Sequence, residues 1–113
     1  MNFDELLRTL QRDYLASLPE KIKKIEEFRL DNAELREAFH KLKGTGKTYG
    51  IPEVSELSAL MERICLENPL ASAQAADAAL GLLRAIYEAR GIGREFNLKD
   101  DPRLAFLQKL LQT

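Results

Sequence analysis

The chain has 113 residues, 45% of them hydrophobic and 31% charged, a balance that suits one globular domain spanning residues 1–113 and excludes a disordered or fibrous protein. Seventeen Lys and Arg against eighteen Asp and Glu leave a net charge of −1, without the basic excess that nucleic-acid phosphates demand. No apolar run reaches membrane-spanning length, so neither nucleic acid nor membrane insertion is expected.

The start, Met1-Asn2-Phe3-Asp4-Glu5, is acidic and lacks the charged and apolar regions of a signal peptide, which points to the cytoplasm. Phe3, Leu6, Leu7, Leu10, Tyr14 and Leu18 recur every three or four residues and predict a first amphipathic helix. Ser17-Leu18-Pro19-Glu20 resembles a capping box with proline in the first turn, so a second helix, or a kinked continuation, is expected to carry Ile22, Ile25 and Phe28. Asp31-Asn32-Ala33-Glu34 signals the start of a third, with Leu35, Ala38, Phe39 and Leu42 facing inward.

Gly50-Ile51-Pro52-Glu53 reads as a break and a proline start, followed by Val54, Leu57, Met61 and Ile64 on a fourth helix ending near Asn68-Pro69. The lone Cys65 on that helix cannot form an intrachain disulfide and reads as a small buried hydrophobe. Leu70 to Arg90 is alanine-rich, with Leu80, Leu83, Ile86 and Tyr87 supplying bulk and Gly91 at the expected C-terminal cap. Asp101-Pro102 then starts a short final helix burying Leu104, Leu107 and Leu111. With no strand-like alternation, the fold class is all-α, an antiparallel up-and-down bundle.

One helix carries the chemistry. At about 100° per residue, His40 lies roughly 140° from the centre of the Leu35-Phe39-Leu42 stripe and faces solvent, with Arg36, Lys43 and Lys47 within about 60° of it. On this helix alone, three cations surround the imidazole, an environment that favours its neutral, nucleophilic form and attracts a phosphoryl dianion. Gly44 lies one turn beyond His40 and Gly46 follows, each costing about 1 kcal/mol relative to alanine. Gly44 either bares the helix surface beside the ring for a partner or, with Gly46, marks a helix end. Gly44-Thr45-Gly46-Lys47-Thr48 is not a nucleotide loop, because Lys41 stands where that motif requires glycine and no strand precedes it. One histidine and one cysteine cannot assemble a zinc shell, so no metal is expected.

His40-Lys41-Leu42-Lys43-Gly44, with Gly50 ten residues after the histidine, resembles the signature of histidine-containing phosphotransfer (HPt) domains. The likeness extends over about Phe3 to Leu66 and more weakly to Arg90. It implies an antiparallel four-helix bundle with an accessory N-terminal helix, to which the short C-terminal helix read above is added, and in which His40 takes a phosphoryl group from a receiver-domain aspartate and passes it on. On that likeness Lys43 neutralises phosphoryl oxygens and Gly44 gives the receiver access, while Arg36 and Lys47, placed beside His40 by helical spacing, complete the expected docking face. The receiver supplies the Mg²⁺, and the chain itself needs no cofactor. Glu62 stands at the position whose side chain holds the other ring nitrogen. Helical spacing separately places Ser58 and Glu62 on one flank of the fourth helix's apolar stripe. Phe39 and Lys47 depart from the family pattern, which often has a small residue before the histidine and small or neutral residues in the stretch around Lys47.

The expected activity is that of a monomeric phosphoryl carrier dependent on receiver or kinase domains, and not of an enzyme. The alternative is a helical adaptor that binds receiver-like partners with His40 unphosphorylated. Phosphorylation by the chain itself from ATP ranks third, since no nucleotide site is visible.

Overall fold

A computed structural model describes residues 2–112 and is a helical bundle: α1 (Phe3–Glu27), α2 (Asn32–Thr48), α3 (Pro52–Glu67), α4 (Ser72–Gly91) and α5 (Pro102–Leu110), with single 3₁₀ turns at Pro69–Ala71 and Leu98–Asp100. Met1 and Thr113, the ends of the expected domain, lie outside the described residues. Two of the expected starts are capped by aspartate. Asp31 accepts the Glu34 N–H at 3.1 Å to open α2, and Asp101 accepts the Arg103 N–H at 2.9 Å to open α5. Pro52 and Pro102 occupy first-turn positions, where a missing N–H costs nothing.

Pro19 does not divide the N-terminal region. Helix α1 runs through it unbroken, so there is no separate accessory helix. The Ser17 hydroxyl donates to the Tyr14 carbonyl at 2.6 Å and accepts from Lys21, and does not cap a new helix. Pro19 lies on the exposed side, while Leu18, Ile22 and Ile25 are buried around it. Burying three such side chains is worth several kcal/mol, enough to outweigh the roughly 3 kcal/mol of an interior proline. The first stripe divides in two. Tyr14 and Leu18 enter the core, whereas Phe3, Leu6, Leu7 and Leu10 remain exposed.

Neighbouring helices are tied by bonds that advance along one helix and retreat along the other. Tyr14 donates to Thr45 Oγ1 at 2.9 Å, because the Thr45 proton is used on the Lys41 carbonyl, and Gln11 donates to the Gly50 carbonyl at 2.9 Å. Gly50, at φ +80°, makes the turn into α3. Arg29 grips Asp77 through two bonds of 2.8 and 2.9 Å, and Arg84 pairs with Glu26, fastening α1 to α4. Fully buried Ala75, Ala76 and Ala79 let α4 sit close to its neighbours. Gly91 is the last helical residue, and the left-handed glycine is Gly93, at φ +77°. At the far end Leu104 and Leu107 are buried as expected, and Leu111 is only partly covered.

An ion pair that the sequence did not announce joins the start of α3 to the end of α4. Glu53 is nearly buried and takes two bonds from Arg90, at 2.6 and 2.9 Å, and a third from the Phe96 N–H at 3.1 Å.

The two glycines of α2 have different surroundings. A Cβ on Gly46 would lie 2.9 Å from the Ser55 backbone nitrogen and 2.9 Å from Val54 Cβ, whereas a Cβ on Gly44 would meet nothing within 4 Å. Gly46 is therefore a packing position, where α3 presses on α2. Gly46→Ala is expected to destabilise the protein by about 1 kcal/mol or more, overpacking outweighing the gain in helix propensity. Urea melts check this, and a stabilised variant would contradict it.

Candidate functional site

Helix α2 places Leu35, Phe39 and Leu42 in the core and turns His40 outward, its side chain 63% exposed. Phe39, the departure from the family pattern, is completely buried and fills core volume beneath the histidine's turn. From α3, Glu62 reaches across to this surface. Its Oε2 lies 2.6 Å from His40 Nδ1 and its Oε1 2.8 Å from Lys43 Nζ, so one carboxylate holds both side chains.

The hydrogen bond from Lys43 keeps the Glu62 carboxyl below the usual carboxylate range, with burial opposing and the contact with His40 adding to the effect. An ionised Glu62 can only accept, so His40 Nδ1 carries the proton, and in the neutral ring the lone pair lies on Nε2, facing away from Glu62. Nε2 is the atom available for bonding to an incoming group.

The cationic stripe needs correction because α3 adds a negative charge that the α2 wheel could not include. The nearest charged group to the imidazole is the Glu62 carboxylate. Lys43 is half-buried and turned toward it, while Arg36 and Lys47 are exposed and form no ion pair with the described residues. Ser58, on the same flank as Glu62, is fully buried, with no hydrogen-bond partner for its hydroxyl among the described residues. Burial pushes the Cys65 thiol pKa up, in keeping with a packing role.

Gly44 lies inside a continuous helix with a helical φ, open to solvent one turn from His40, and is not a helix cap. The surface beside the imidazole is consequently backbone. Among the described residues no three His, Cys, Asp or Glu side chains group as metal ligands, and no helix is long and apolar enough to cross a membrane.

The model of the Hpt domain family matches residues 5–91, most of the chain and all four helices that build and support this surface. The chain belongs to the Hpt domain family. No curated protein and no solved structure gives a significant match to it. The match covers the segment that carried the sequence likeness and its weaker extension, to the end of α4, whereas α5 and the loop before it lie beyond the Hpt region. Hpt domains are phosphocarrier modules of phosphorelays, and their partners are receiver domains.

One neighbour of the Hpt surface was missed at the sequence level. Ser55, near the start of α3, donates to the Lys43 carbonyl at 2.7 Å and accepts the Lys47 N–H at 2.5 Å. A serine one turn inside a helix carries no local signal of such a role.

Proposed function

We propose that His40 is the phosphoryl acceptor of a phosphorelay carrier, taking the group from a receiver-domain aspartyl phosphate and returning it to another receiver. The single observation that carries this reading is the exposed imidazole whose Nδ1 proton is held by Glu62. Nε2 attacks phosphorus as the acyl-phosphate P–O bond breaks and the aspartate leaves as carboxylate. The ring keeps its Nδ1 proton and becomes a cationic phosphoimidazolium, so no proton has to leave in the step. Positive charge grows on the ring during the attack, and Glu62 lies 2.6 Å from where it develops. Arg36 and Lys47, exposed and without an ion pair among the described residues, steer the acidic phosphorylated partner, and bare Gly44 admits it. The carrier acts as a monomer in the cytoplasm.

Incubation with a phosphorylated receiver domain tests this. The chain should acquire an acid-labile, base-stable label. Tight receiver binding without any label would support the adaptor reading.

Lys43→Ala is expected to slow transfer about tenfold, through loss of phosphoryl-oxygen contacts and a looser Glu62. Its melting temperature should change by only a few degrees, since Lys43 lies partly in solvent, where an ion pair contributes little. Transfer at the unaltered rate would move the electrostatic role to Arg36 or Lys47.

A further inference from the structure

We propose that Ser55 is a positioning residue for the transfer at His40, acting through Lys43; the inference rests on the carrier reading above. In a regular α-helix the Lys47 N–H would bond directly to the Lys43 carbonyl, four residues back. The Ser55 hydroxyl engages both groups at once, accepting from Lys47 N at 2.5 Å and donating to Lys43 O at 2.7 Å. Both capacities of the hydroxyl are used on the backbone of a neighbouring helix. Gly46 makes this close approach possible, because a Cβ there would lie 2.9 Å from Ser55 Oγ as well as from its nitrogen.

The consequence is that α3 holds Lys43 at both ends. Ser55 fixes its carbonyl, and Glu62, two turns further along the same line of α3, takes its ammonium at 2.8 Å. The second oxygen of Glu62 then takes His40 Nδ1. Ser55, Lys43, Glu62 and His40 thus form one connected array spanning the two helices. Replacing serine by alanine removes both bonds and leaves the Lys47 N–H and the Lys43 carbonyl to the α2 ladder alone. The fold survives, but the main chain bearing Lys43 shifts relative to Glu62. Sub-ångström placement matters at a reacting centre, where about 1 Å can change rates by roughly a hundredfold.

The test compares wild type with Ser55→Ala in three measurements: thermal melts, transfer rates from a phosphorylated receiver across receiver concentrations, and ¹⁵N resonances of the His40 ring. Ser55→Ala should melt within a few degrees of wild type and show roughly tenfold slower transfer at saturating receiver. The half-saturating receiver concentration should be unchanged, and the Nδ1 resonance should move. Wild-type rates together with wild-type ring resonances would overturn the proposal. So would a loss of transfer that disappears on cooling in step with recovery of folded protein, since Ser55 would then only hold the bundle together. Failure of wild type to take any label would sink the carrier reading instead, and the ring resonances would still decide whether Ser55 sets the array.

Discussion

Replacing Gly44 by glutamine is expected to make the protein more stable and at the same time to reduce phosphoryl transfer by about a hundredfold. The position is helical, open, and free of any atom within 4 Å of a new Cβ. Glutamine should therefore raise stability by a few tenths to about 1 kcal/mol through propensity alone. Helical side chains lean toward the N-terminus over the preceding turn, and one turn before Gly44 stands His40. The new side chain would then lie across the approach to Nε2, where a displacement of about 1 Å is enough for a hundredfold effect. Melts and transfer rates on one sample decide it. A more stable variant that still exchanged phosphate at the wild-type rate would show that Gly44 does not face the partner.

Arg90→Ala is expected to cost about 3 kcal/mol at neutral pH, because it strands the nearly buried Glu53 carboxylate without its cation. Burial on its own would raise the Glu53 pKa. The bonds from Arg90, from its own backbone N–H and from the Phe96 N–H, with the charge of Arg90, more than reverse this and set it below 4.5. A carboxyl with a depressed folded-state pKa contributes its stability in full above the unfolded value and loses it as pH falls through the folded one. Wild type should accordingly weaken in acid below about pH 4.5. The gap between wild type and Arg90→Ala should narrow over the same range, since protonating the stranded Glu53 relieves the variant. Denaturant midpoints at pH 7 and pH 3 measure both trends. An equal gap at the two values would show that the Glu53 charge is not what Arg90 holds in place.

The readable parts of this molecule were those governed by local periodicity. Leu35, Phe39 and Leu42 defined the inner face of α2, and the same wheel correctly turned His40 outward. Asp31, Pro52 and Pro102 marked helix starts because capping and proline placement depend on only a few neighbouring residues. Glu62, named by the family likeness and set by helical spacing on the flank of its stripe, does reach His40.

What stayed hidden depends on distant chain. Pro19 read as a break or a kink because its cost is local, while the burial of Leu18, Ile22 and Ile25 that outweighs it belongs to the folded bundle. Glu53 was named only as part of a proline start, its partner Arg90 lying 37 residues away. The charge around His40 was misjudged for the same reason, since the α2 wheel could not see Glu62. Gly44 and Gly46 were paired as one ambiguous signal, although two residues turn a helix by about 200°. That rotation alone sends Gly46 to the core face beside Leu42 and leaves Gly44 outside.

The most direct test of the central claim is to identify the phosphorylated atom by ¹⁵N and ³¹P NMR on ¹⁵N-histidine-labelled protein that has taken phosphate from a receiver domain. His40 is the only histidine in the chain, so its two ring nitrogens give the whole answer. The account predicts phosphorus bonded to Nε2, with Nδ1 still protonated and bonded to Glu62. Phosphate on Nδ1, or a label carried equally by the His40→Gln variant, would contradict it.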